Sequence, residues 1–129
     1  RYSDPDYAAK AYTIFADDIK KSATTRASVF GTLHVEASEL LMDLMEKTGL
    51  RTFIGKVNMD RNGSATLQEK SAVVSVRDTV RWLTDTAGKY ENVKPILTPR
   101  FTPSCTDELM TGLAEIQRTY CLPVQSHLS

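Results

Sequence analysis

Apolar residues along this 129-residue chain fall alternately into a helical and an extended rhythm. Ala8, Tyr12, Phe15 and Ile19 share one helical face behind Asp4-Pro5, where the aspartate offers a capping oxygen and the proline suits the first helical position. Residues 25–31 are rich in β-branched and aromatic types and read as a strand. Residues 36–47 then put Ala37, Leu40, Leu41, Leu44 and Met45 on one side before Gly49 stops the helix. The rhythm repeats with a strand over 51–57 and a helix carrying Val73, Val76, Val80, Leu83 and Ala87 up to Gly88. A strand over 93–97, a helix capped by Thr106 with Leu109, Leu113, Ile116 and Tyr120 on its face, and a strand over 122–126 complete the order.

The order α-β-α-β-α-β-α-β, with strands at intervals of about thirty residues and no hairpin signal, predicts right-handed βαβ units and a parallel sheet. One connection breaks the spacing: residues 58–69 form a long polar loop, of the kind that often carries function. Two architectures fit, an open doubly wound sheet or part of a closed (β/α)8 barrel. Neither a G-x-G-x-x-G turn nor a P-loop is present to favour a phosphate-binding open sheet. A complete barrel takes about 250 residues, so this chain would supply roughly half of one, as a single domain over 1–129.

Charge narrows the partners. Sixteen basic and sixteen acidic residues cancel and are scattered, which argues against a nucleic-acid backbone or an anionic membrane and suits a neutral small molecule. No apolar run approaches the roughly 20 residues of a membrane span, and residues 1–20 carry charges throughout, so a cytoplasmic location is expected. Cys105 and Cys121 read as unpaired thiols.

In parallel α/β folds, chemistry gathers at the C-terminal ends of strands, and His127 follows the last expected strand, where imidazole is a ready metal ligand. Arg100 and Phe101 follow the preceding strand; the guanidinium fork can donate twice to a carbonyl or ring acceptor, and the ring offers a face to a flat ligand. His34 lies in the loop after the first strand and could line the same rim. Asp60 and Asn62 in the long loop read either as polar residues over a site or as ordinary turn formers. One strand-tip histidine cannot hold catalytic zinc by itself, and no G-x-S-x-G elbow is present.

Taken together, Phe53-Ile54-Gly55-Lys56-Val57-Asn58-Met59-Asp60-Arg61-Asn62, Val93-Lys94-Pro95-Ile96-Leu97-Thr98-Pro99-Arg100-Phe101-Thr102-Pro103-Ser104-Cys105 and Leu122-Pro123-Val124-Gln125-Ser126-His127-Leu128-Ser129 resemble the guanine deaminases of the amidohydrolase superfamily. The resemblance implies a (β/α)8 barrel with catalytic zinc at its strand tips, of which this chain would form the central portion, strands two to five. It implies hydrolysis of guanine to xanthine and ammonia in purine catabolism, with homodimerisation a fair default. His127 would be the metal-binding histidine of the fifth strand and, with Arg100 and Phe101, a purine contact. No catalytic residue would lie within the chain, since the proton-shuttling glutamate is expected just after Ser129, and the 129 residues alone would be an inactive fragment. The family's proline, acidic residue and tyrosine after the Met-Asp-x-Asn block are replaced here by Gly63-Ser64-Ala65-Thr66. Alternatives are another deaminase or chlorohydrolase of a nitrogen heterocycle, or a non-catalytic half-barrel module.

Overall fold

In the computed structural model, which describes residues 1–128, the helical rhythm becomes helices that end where their caps predict. Helix α1 (Pro5–Lys21) starts on the Asp4 carboxylate, which accepts from the Asp6 amide at 3.0 Å. It buries Ala8, Tyr12 and Ala16 against α2 (Val35–Thr48), while Phe15 turns outward at 37% exposure. Small residues on the contacting face let the two helices approach, and Ala16 rather than Phe15 takes the inward place. Helix α2 buries Val35, Ala37, Ser38, Leu41, Met42 and Met45 and ends at Gly49, whose φ of 76° is the left-handed conformation glycine adopts without a Cβ clash.

The strands are parallel, as expected. β1 (Arg26–Phe30) pairs with β2 (Arg51–Gly55) from Arg26↔Arg51 to Phe30↔Gly55, and β2 pairs with β4 (Val93–Pro95) from Thr52↔Val93 to Ile54↔Pro95. The expected strand over 51–57 is interrupted at Lys56 and resumes as β3 (Val57–Asn58), which pairs with β5 (Thr98–Pro99). Close approach explains the composition at this break: a Cβ on Gly55 would lie 1.6 Å from Thr98 Oγ1, so only glycine fits.

The final expected strand, 122–126, is extended and parallel but held at single points, the bridges Leu97↔Val124 and Phe101↔His127. Pro123 has no N–H to donate, although its carbonyl accepts from the Leu97 amide at 3.0 Å and the Gln125 amide donates to Leu97 O at 2.9 Å. The sheet is curved. Gln125 reaches across its concave side to β1, accepting from Ser28 Oγ at 2.6 Å and donating to Val29 O at 3.2 Å and Thr98 Oγ1 at 3.0 Å. Strands on an arc with helices outside it form part of a (β/α)8 barrel, with Phe53 (41% exposed) on the inner face.

Helix α3 (Ala72–Thr86) departs most from its sequence pattern. Its inward face is Ala72, Ser75, Thr79, Trp82, Leu83 and Thr86; the expected Val76 and Val80 pack half-buried beside it, whereas Val73 is 66% exposed and Ala87 lies at the surface. The cause is polar: Asn58 Nδ2 donates to both Ser75 Oγ and Thr79 Oγ1 at 2.8 Å, so the hydroxyl stripe faces the sheet. Helix α4 (Asp107–Tyr120) behaves as its pattern says, capped by Thr106 Oγ1 on the Leu109 amide at 3.2 Å and burying Leu109, Leu113 and Ile116. Only its last expected face residue, Tyr120, stays out, at 44% exposure. Trp82, Leu41, Met42, Met45, Ile54, Leu97 and Leu109 form the centre of the apolar layer between helices and sheet.

Candidate functional site at the strand tips

The C-terminal ends of the strands open on one side of the sheet, and the candidate residues gather there. Arg100 and Phe101 follow β5 directly, and the His127 amide donates to Arg100 O at 3.0 Å. The Phe101↔His127 bridge therefore locks the histidine to the arginine and phenylalanine through backbone alone. Phe30, at the tip of β1, stacks on the His127 ring with centroids 4.3 Å apart and planes at 28°. This partner was not anticipated from sequence, although a bulky aromatic at the tip of an expected strand was the available signal.

Two adjoining hollows flank these groups. One, of about 620 Å3, is lined by Phe30, Thr32, His34, Leu67, Arg100 and His127. The other, of about 530 Å3, is lined by Met59, Asn62, Leu67, Arg100, Phe101 and His127. Arg100 and His127 belong to both walls and are solvent-exposed. The Arg100 guanidinium touches Met59 Sδ at 3.6 Å, and among the described residues it has no carboxylate partner, which leaves its donors free for a neutral acceptor. His34 lines the first hollow at the start of α2, where its side chain makes no capping bond; burial lowers its pKa below the ordinary 6.5 and favours neutral imidazole at pH 7.

Asp60 and Asn62 do not act as local turn formers: Asn62 lines the second hollow, and both side chains bond across the gap to the next loop. Asp60 accepts from the Thr106 amide at 2.8 Å and the Thr106 hydroxyl at 2.5 Å. Asn62 Nδ2 and Arg61 Nε both donate to Pro103 O, at 2.6 and 3.1 Å. The root of the same loop holds a pair the sequence reading did not single out. Lys56, 1% exposed, meets Glu69 at 2.6 Å, and Glu69 also accepts from the Met59 amide at 3.2 Å and from the Ser75 hydroxyl. A lysine inside the apolar run Phe53-Ile54-Gly55-Lys56-Val57 was the signal: a charge there needs a buried partner.

The thiols of Cys105 and Cys121 are free, and burial pushes the Cys105 thiol up from its ordinary value. Among the described residues no three His, Cys, Asp or Glu side chains converge as a metal site. His127 can offer one nitrogen, but these residues by themselves do not fit a catalytic metal.

The model of the amidohydrolase family matches residues 2–129. Guanine deaminase of Mus musculus is 41% identical over 130 aligned positions that cover 100% of this chain and 29% of the mouse protein. A structure of guanine deaminase from C. acetobutylicum with guanine bound in the active site superposes with a TM-score of 0.93 at 44% identity, over 98% of this chain and 30% of that one. The E. coli guanine deaminase structure gives a TM-score of 0.90 at 30% identity, over 99% of this chain and 30% of that one. The chain thus spans about 29% of the length of the mouse relative. An arc of parallel strands with its candidate groups at the tips, matched by the family model over nearly every residue, places this chain in the amidohydrolase family.

Proposed function

We propose that this chain forms the second to fifth strands of a guanine deaminase barrel and carries its purine-contacting wall, for hydrolysis of guanine to xanthine and ammonia. The carrying observation is the backbone lock that sets Arg100, Phe101 and His127 on one hollow at the strand tips. Relatives named as guanine deaminases, one of them solved with guanine bound, support the choice of substrate.

In this reading Arg100 donates to the carbonyl of guanine and fixes the ring in plane, and Phe101 presents an apolar face to it. Adenine has no carbonyl at that position and would leave the guanidinium donors unpaired, so discrimination follows from the same contact. His127 is the one nitrogen this chain would offer to zinc, whose other ligands would have to come from outside these residues. Proton transfer is not assigned to any described residue. The reading carries with it purine catabolism in the cytoplasm and a homodimer.

Arg100→Ala in the full-length protein tests it. Losing a charge-assisted hydrogen bond of about 1.5–3 kcal/mol should lower kcat/KM for guanine by roughly ten- to a hundredfold. Unchanged kcat/KM removes Arg100 from the site, and faster turnover of a pterin or triazine than of guanine by the parent protein replaces the substrate.

A further inference from the structure

The loop over 58–69 walls the hollow, and its first residues and its last are held in place. At the root, the buried Lys56–Glu69 pair and the Glu69 amide, which donates to Met59 O at 2.7 Å, close the loop on itself. Directly after Met59, Asp60 holds Thr106 through both of its oxygens. The Asp60 and Arg61 amides donate to Ser104 O at 3.0 and 3.2 Å. The residues just before Asp60 carry the contacts to the arginine: the Arg100 amide donates to Asn58 O at 3.1 Å, and Met59 Sδ touches its guanidinium. Arg100 and Phe101 are the residues just before the clamped turn 102–106, so any slack in that turn reaches them within a few bonds.

We propose that Asp60 is a positioning residue for Arg100: by clamping Thr106, its carboxylate sets the turn after Phe101 and thereby the direction of the guanidinium in the hollow. The carboxylate itself points at a backbone amide and a hydroxyl rather than at the substrate space, so it acts through Arg100. Neutralising it removes a charge-assisted acceptor for two donors at once. It also takes a negative charge away from the N-terminus of α4, where the helix dipole favours one. The direction of Arg100 matters because planar recognition by a guanidinium depends on angle as well as distance.

The proposal rests on Arg100 contacting the substrate, and its test separates the two. In the full-length protein, Asp60→Ala and the nearly isosteric Asp60→Asn are made in the parent and in an Arg100→Ala background, and kcat and KM for guanine are measured. Positioning through Arg100 predicts a loss of about tenfold in kcat/KM in the parent and no further loss once Arg100 is gone. Equal losses in both backgrounds would show Asp60 acting only as a cap for α4 and would overturn the proposal. Amide hydrogen exchange over 100–106 is followed in parallel without substrate. Exchange there should accelerate in both Asp60 variants, and unaltered exchange refutes the clamp even if the parent proves not to act on guanine. Should Asp60→Ala fail to fold, the Asp60→Asn cycle gives the same decision.

Discussion

Helices α2 and α3 pack side by side, yet they are held by different physics. α2 buries Leu41, Met42 and Met45, whose attraction to the core is non-directional and follows from area removed from water. α3 buries Ser75 and Thr79 as well as Trp82, and its rotation is set by which hydroxyl meets which partner. Apolar packing tolerates small shifts, whereas a directed network fixes the angle at which a helix sits. The network also reaches the strand-tip hollow, since Asn58, Met59 and Glu69 belong to the loop that walls it.

The contrast breaks most sharply at Lys56. Lys56→Met leaves the Glu69 carboxylate buried without its cation and should destabilise by about 3–5 kcal/mol, while Lys56→Met with Glu69→Leu should recover much of the loss; denaturant midpoints read both. On the α2 side, Leu41→Ala should cost about 2–5 kcal/mol without a single rescuing partner, because only a cavity is made. Thr79→Val keeps the volume but removes one of the two acceptors of Asn58 Nδ2, for an expected loss of about 1–3 kcal/mol in thermal unfolding. Val73→Ala, at a position the apolar pattern would place in the core, should change stability by less than about 0.5 kcal/mol, because Val73 is 66% exposed.

A pH measurement sharpens the end of α2. Burial opposes ionisation of Glu46, but amide donors from Glu91, Asn92 and Val93 outweigh it and hold the carboxyl below its ordinary 4.5. The unfolded chain then binds the proton more readily than the folded one. The stability from this contact is complete above the ordinary value and is lost as pH falls through the lowered one. Replacing Glu46 by Gln should flatten the acid limb of the stability curve by a small amount.

Much of this arrangement can be read from residues alone, and the failures share a cause. α1, α2 and α4 were legible because their caps and apolar faces agree, and the parallel order followed from the alternation. Arg100, Phe101 and His127 were legible as residues following strands. Their proximity was not, because it rests on a pairing between segments whose register no local pattern encodes. On α3, Val76, Val80 and Leu83 pack as their pattern predicts, whereas Ser75 and Thr79 are not legible as inward because hydroxyls count as polar until a buried asparagine is known to face them. Phe15 and Tyr120 were misplaced at the edges of real apolar faces, where a small turn of the helix decides burial. Lys56 and Glu69 were passed over since each looks like surface until the other is found.

The Gln125 amide has a consequence for how the chain assembles. Strand order in the sheet follows order along the chain, β1, β2, β4, so each strand leaving the ribosome can dock on an edge already in place. Its bond to Ser28 spans 97 residues and cannot form until every intervening strand is laid down and the sheet has bent. Gln125 therefore stitches β1 to the segment 122–126, and the curvature of this arc waits on a contact remote in sequence.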